Sequence, residues 1–127
     1  MNFPIWKFLC IKYCDDCYLC TQYFYMEVFI RNKELQKLYE TGKSKKYPLQ
    51  KNIIEQFFYC MQVLADAETI YDIWNDKSLN FEKLQGTESS YSMRLNNKYR
   101  LEMDIDWINQ ECTIGIIDVT EISNHYK

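Results

Sequence analysis

Two arginines beside a tight turn are the residues best placed to do chemistry. Arg94 precedes and Arg100 follows the turn segment Asn96-Asn97-Lys98. Pairing the flanking stretches as a β-hairpin brings both guanidiniums to the same end of one ribbon. An arginine fork stays charged and can hold two phosphate oxygens at once, so the pair suits a phosphate or the charge that builds on a phosphate under attack. Lys83, two residues ahead of Gln85-Gly86, adds a cation. His125, the single histidine, is followed by Tyr126. An imidazole could titrate usefully near neutral pH and serve as acid or base, with Asp118 or Glu121 to orient it. Tyr91 and Tyr99 alternate with the arginines and offer flat faces on which a base of single-stranded RNA could stack. Lys98 and the Lys45-Lys46 pair would then contact the backbone. Each has an ordinary alternative: Arg100 could pair with Glu102 or Asp104 along its strand, Arg94 could be solvated, and a tyrosine could pack in the core.

The elements that must position these groups follow from periodicity. Glu27 to Ile30 reads as a strand. Asn32 is a plausible cap for a short helix with Leu35, Leu38 and Tyr39 on one face, which Thr41-Gly42 ends. Pro48 falls at the expected first turn of the longest helix, in which Ile53, Ile54, Phe57, Phe58, Met61 and Leu64 recur at spacings of three and four. Helical character continues through Ile70, Ile73 and Trp74 after a break near Ala67. Asn80 to Leu84, Ser90 to Leu95, Tyr99 to Trp107 and Cys112 to Val119 read as strands, the last two joined by Ile108 to Glu111. The pattern predicts an α+β domain with antiparallel strands.

With 127 residues, 47% hydrophobic, the chain can bury one modest core. No apolar run approaches the ~18 residues of a membrane helix, and the start lacks the small-residue cleavage site of a signal peptide. We expect a soluble, cytoplasmic protein. The net charge of -3 runs against a nucleic-acid partner. Its distribution is uneven: Lys43, Lys45 and Lys46 cluster beside one turn, and Lys83, Arg94, Lys98 and Arg100 on the expected sheet.

Residues 1–25 differ from the rest, carrying Cys10, Cys14, Cys17 and Cys20 with no sustained period. The Cys10-x3-Cys14-x2-Cys17 spacing is that of radical SAM iron–sulfur sites. Such an enzyme needs a large barrel, typically ~250 residues, which cannot follow here. The overlapping Cys-x2-Cys steps also resemble part of a zinc site, whereas a disulfide suits a reducing cytoplasm poorly. Against these stands a segment with no site, the folded domain beginning at Met26, and this is the expectation we carry: no metal and no cofactor. Cys60, in a helix, and Cys112, on a strand, are expected in the core.

The Leu84-Gln85-Gly86 element, the Arg94–Arg100 hairpin and the His125-Tyr126 carboxyl end together resemble the RelE/ParE toxin superfamily, most closely its HigB type. The resemblance starts at Met26 and covers about 100 residues. It implies a small RelE-like domain over 26–127, an antiparallel curled β-sheet packed against two N-terminal helices. It further implies the toxin of a type II toxin-antitoxin system, a metal-independent ribonuclease that cuts messenger RNA in the ribosomal A site. Its partner would be a neighbouring helix-turn-helix antitoxin, and no membrane is involved. The catalytic set carried over is Arg94, Arg100, His125, Tyr126 and Lys83, with Tyr91, Lys98, Tyr99, Lys45 and Lys46 touching RNA. Relatives carry lysine where Gln85 stands, and Lys83 could supply that charge from next door. ParE members poison DNA gyrase instead, and a toxin-like chain that only binds an antitoxin is a third possibility.

Overall fold

A computed structural model describes residues 26–124; residues 1–25 and 125–127 lie outside it, and with them the Cys10–Cys20 cluster, His125 and Tyr126. The chain order is β1 (Glu27–Ile30), α1 (Lys33–Thr41), α2 (Lys51–Asp66), α3 (Ile70–Trp74), a 3₁₀ turn (Lys77–Leu79), β2 (Glu82–Lys83), β3 (Ser90–Arg94), β4 (Tyr99–Trp107) and β5 (Gly115–Asn124).

Local chemistry explains most of the boundaries. The Asn32 side chain accepts from the amides of Glu34 and Leu35 at 2.9 and 3.3 Å, satisfying donors that the first turn of α1 leaves open. Gly42 closes the helix at φ 78, its N–H donating to the Leu38 carbonyl. Pro48 does not begin α2. It is the middle residue of a three-residue turn in which the Leu49 amide donates to the Tyr47 carbonyl at 2.8 Å, and Gln50 takes the N-cap position. The apolar positions of α2 fall as expected, burying Ile53, Phe57, Cys60, Met61 and Leu64. Ala67, extended at ψ 130, breaks the helix, and the Asp72 carboxylate accepts from the Thr69 amide at 3.2 Å to start α3.

The five strands form one sheet in the order β1-β5-β4-β3-β2. Its antiparallel part is as predicted, but β1 runs parallel to β5, with Val28 opposite Ile117 and Ile30 opposite Val119. The sheet is therefore mixed. The whole helical segment lies between β1 and the hairpins, giving the chain the long return that a parallel pair needs. One face of the sheet is apolar. Val28, Met93, Leu101, Met103, Ile105, Ile117 and Val119 share a single core cluster with Leu35, Leu38, Phe57 and Leu64 from the helices. Burying each large side chain contributes about 1.5–3 kcal/mol, which is what makes alternation along the strands decisive for register.

Three expected strands change at their ends, β3 only by stopping at Arg94 instead of Leu95. β2 is only two residues long because Asn80, at φ 45, ends the 3₁₀ turn in a left-handed conformation and Phe81 turns into the core. β5 begins three residues later than read and continues five residues further. A bulge shifts its register between Glu102 and Met103, so that Val119 and Ile122, three apart, are both buried. That extra residue breaks the two-residue period on which the sequence reading relied. Cys112 is correspondingly not on a strand or in the core: it is exposed at φ 57 in the β4–β5 connection. The Asn109 side chain braces that connection, accepting from the amides of Thr113 and Ile114. Cys60 is buried, and desolvation pushes its thiol up to about 12, which leaves it an inert core residue.

Candidate functional site

The hairpin joining β3 and β4 is held shut by its own turn. The Asn96 side chain accepts from the amides of Lys98 and Tyr99 at 2.8 and 2.7 Å, and the Leu95 amide donates to the Tyr99 carbonyl at 3.0 Å. This sets Arg94 directly opposite Arg100. Both lie on the face of the sheet turned away from the core, where residues of β4 alternate out as Arg100, Glu102, Asp104 and Asp106.

Like charges placed opposite one another repel, and the two side chains meet this differently. Arg100 is 8% exposed. Its Nε donates to Ser92 Oγ at 2.8 Å, its Nη2 donates to the Asn80 carbonyl at 2.9 Å, and the same nitrogen lies 3.3 Å from Glu82 Oε1. Arg94 is exposed and donates to the Asn97 side-chain oxygen. One guanidinium is thus fixed with a carboxylate beside it, and the other is open to solvent. The ion partner of Arg100 is Glu82 from the edge strand, not Glu102 or Asp104. Along one strand, same-face neighbours stand about 6.8 Å apart, whereas the sheet brings β2 to the same side through Ser92.

The remaining predicted residues divide among three places. Lys83 is exposed and pairs with Tyr91, so its side chain leaves the sheet on the opposite face from the two arginines. Tyr91 is buried: Phe81 stacks on it at 5.3 Å and Trp107 meets it edge-on at 6.0 Å, leaving no ring face for a base. Tyr99, half-buried, and Lys98, exposed, line a cleft of about 270 Å³ together with Asn96 and with Pro48, Gln50 and Ile53 from the start of α2. Lys45 and Lys46 are exposed on the same α1–α2 connection, with Lys46 Nζ 5.7 Å from the Tyr47 ring. Tyr47 anchors that connection. Its hydroxyl accepts from Asn32 Nδ2 at 3.3 Å, and burial pushes its pKa above the ordinary 10.0.

Two residues escaped the sequence reading. Glu82 carried no signal, because its pairing with Ser92 depends on a register set by a two-residue strand. Gln50 was hidden by the assumption that Pro48 opened the helix; the Leu49-Gln50 step after a proline was the available clue.

At the other end of the outer face the charge reverses. Arg31 forms ion pairs with Asp118 and, at 3.8 Å, with Asp104. Among the described residues no group of three or more His, Cys, Asp or Glu side chains could hold a metal ion, and no helix is long and apolar enough to cross a membrane. The arrangement offers cations, an aromatic ring and amide side chains at one end of a sheet, which is what an anionic, flat-ringed ligand requires.

A family model described as HigB-like toxin, the RelE-like toxin of the type II toxin-antitoxin system HigB, matches residues 28–119, from β1 into β5. No curated protein matches the chain.

Proposed function

Because the chain belongs to the HigB-like family of RelE-like toxins of type II toxin-antitoxin systems, we propose that it is a messenger-RNA endonuclease acting in the ribosomal A site. In this reading it works in the cytoplasm without metal or cofactor. A cognate antitoxin with a helix-turn-helix domain neutralises it. The observation that carries the reading is the opposition of Arg94 and Arg100 at the end of the hairpin. In the reaction a ribose 2′-oxygen attacks the adjacent phosphorus and loses its proton to a base, while the 5′-oxygen leaves and takes a proton from an acid. Negative charge concentrates on the non-bridging oxygens, and a guanidinium fork meets it best. Arg94 approaches the phosphate directly. Arg100 bears on it from the sheet, and Lys83 adds positive potential. His125 and Tyr126 move the protons. Lys45, Lys46, Lys98 and Tyr99 hold the flanking RNA. The curl of a RelE-like sheet over its helices belongs to the same reading, and the bulge in β5 supports it, since bulges increase local twist.

A second reading has its own observation. Arg100 already has a carboxylate partner in Glu82, as it would in a toxin-like protein that binds an antitoxin and cuts nothing. Induction of the full chain in a bacterial host, with message ends mapped alongside Arg94→Ala, Arg100→Ala and His125→Ala, separates these. Growth arrest with new message ends that vanish in the variants is the expected result. Arrest with intact messages would favour a gyrase poison, and no arrest would favour the binding protein.

A further inference from the structure

We propose that the cleft between the α1–α2 connection and the hairpin turn is a nucleobase pocket, and that Gln50 and Asn96 set which base it accepts. The inference deepens the ribonuclease reading and rests on it for the identity of the natural ligand. The cleft holds about 270 Å³, with Pro48, Leu49, Ile53 and Tyr99 among its lining residues. A flat heterocycle can lie against such a wall, because aromatic stacking accepts any base. Discrimination must then come from polar edges, and two carboxamides line the cleft.

Neither carboxamide is used up by the fold. The Gln50 side chain makes no capping bond to α2, although it stands at the N-cap position. Asn96 uses only its oxygen, which accepts from the Lys98 and Tyr99 amides. Its amino group is therefore the part left for a ligand. A carboxamide presents donor and acceptor side by side and can match a base edge in two-point fashion. Lys98 lines the same cleft and supplies the charge for a phosphate attached to the base. Tyr99 and Arg100 are successive residues of β4 with side chains on opposite faces. A strand crossing the hairpin end could thus place a base in the cleft and its phosphate toward the arginines.

The test is binding of the four ribonucleoside 5′-monophosphates to the purified full chain, followed through the resonances of Tyr99 and Ile53. Inorganic phosphate serves as the comparison. One nucleotide should bind more tightly than the others and perturb both residues. Gln50→Ala should reduce that preference about 5- to 100-fold, the worth of a two-point base contact. Asn96→Asp keeps the oxygen that closes the turn while removing the amino donor, so it should change the preferred base without unfolding the hairpin. Nucleotides that leave Tyr99 and Ile53 unmoved, or that bind no better than phosphate, would overturn the pocket. So would a base ranking unchanged in both variants. Cleavage is read separately from message ends: binding with base preference but no new ends would keep the pocket and reject the ribonuclease.

Discussion

The two ends of the outer sheet face carry opposite charge on the same strands. β4 alone runs from Arg100 at the hairpin through Glu102 and Asp104 to Asp106, all turned outward. At the hairpin end Arg94 is open and Lys98 stands in the turn, whereas farther along the face Arg31 is already paired with Asp104 and Asp118. A net charge of -3 therefore says little about where an anion can bind. On the proposed function, carboxylates would repel phosphate from most of this face and leave the hairpin end open to it, a bias that acts over roughly a Debye length, ~8 Å at physiological ionic strength.

If that contrast is right, substitutions at the two ends should fall on different readouts. The largest effect is expected at Arg94. Arg94→Ala should lower RNA cleavage about 10²–10³-fold, the worth of one preorganised charge-stabilising donor, while leaving the thermal midpoint unchanged because the side chain is exposed. Arg100→Ala should lose cleavage and stability together. It strips partners from the buried Ser92 hydroxyl and the Asn80 carbonyl, at a cost of about 1–3 kcal/mol in denaturant unfolding. Equal stability of the two variants would break the distinction between them.

Gly115→Ala probes the far end. An added Cβ would lie 2.9 Å from the Asp106 carbonyl oxygen and 3.2 Å from the Trp107 ring. It should destabilise the fold by about 1–3 kcal/mol with cleavage per folded molecule unaltered. Arg31→Ala should do less, at most ~1 kcal/mol, since the pair is solvent-exposed. Its informative readout is RNA affinity, which should fall slightly as Asp104 and Asp118 lose their counter-charge. The smallest effect is expected at Asp76, away from both ends. Hydrogen bonds from Ser78 and then Tyr59 hold its carboxyl below the ordinary 3.8. Its contribution is therefore complete above that value and is lost as pH falls through the lower folded-state pKa. Asp76→Asn should flatten unfolding stability against pH below about pH 4 and change nothing near neutrality.

How much of this was legible in the sequence varied with how local the cause was. The N-cap at Asn32, the αL closure at Gly42 and the full length of β4 could all be read, because each depends on neighbours a few residues away or on unbroken alternation. The facing of Arg94 and Arg100 was legible for the same reason, the turn being short. Three things were not. The parallel pairing of β1 with β5 joins residues about ninety positions apart and leaves no local trace. The late part of β5 was hidden by the bulge that shifts its phase. The Glu82–Arg100 contact required the register of a two-residue edge strand, which is held by the Leu84 amide donating to the Ser90 carbonyl and by the stacking of Phe81 on Tyr91. Tyr91 shows the same limit from the other side: alternation placed it beside the arginines in sequence, and the sheet sent it to the opposite face.

The most direct test of the hairpin end as a cutting site uses the purified full chain, translating ribosomes and a defined message stalled with a known codon in the A site. A break in that codon in the presence of ribosomes, absent with Arg94→Ala at equal folded concentration, is the expected result. An intact message with the unaltered chain, or equal cleavage by the Arg94→Ala variant, would contradict it.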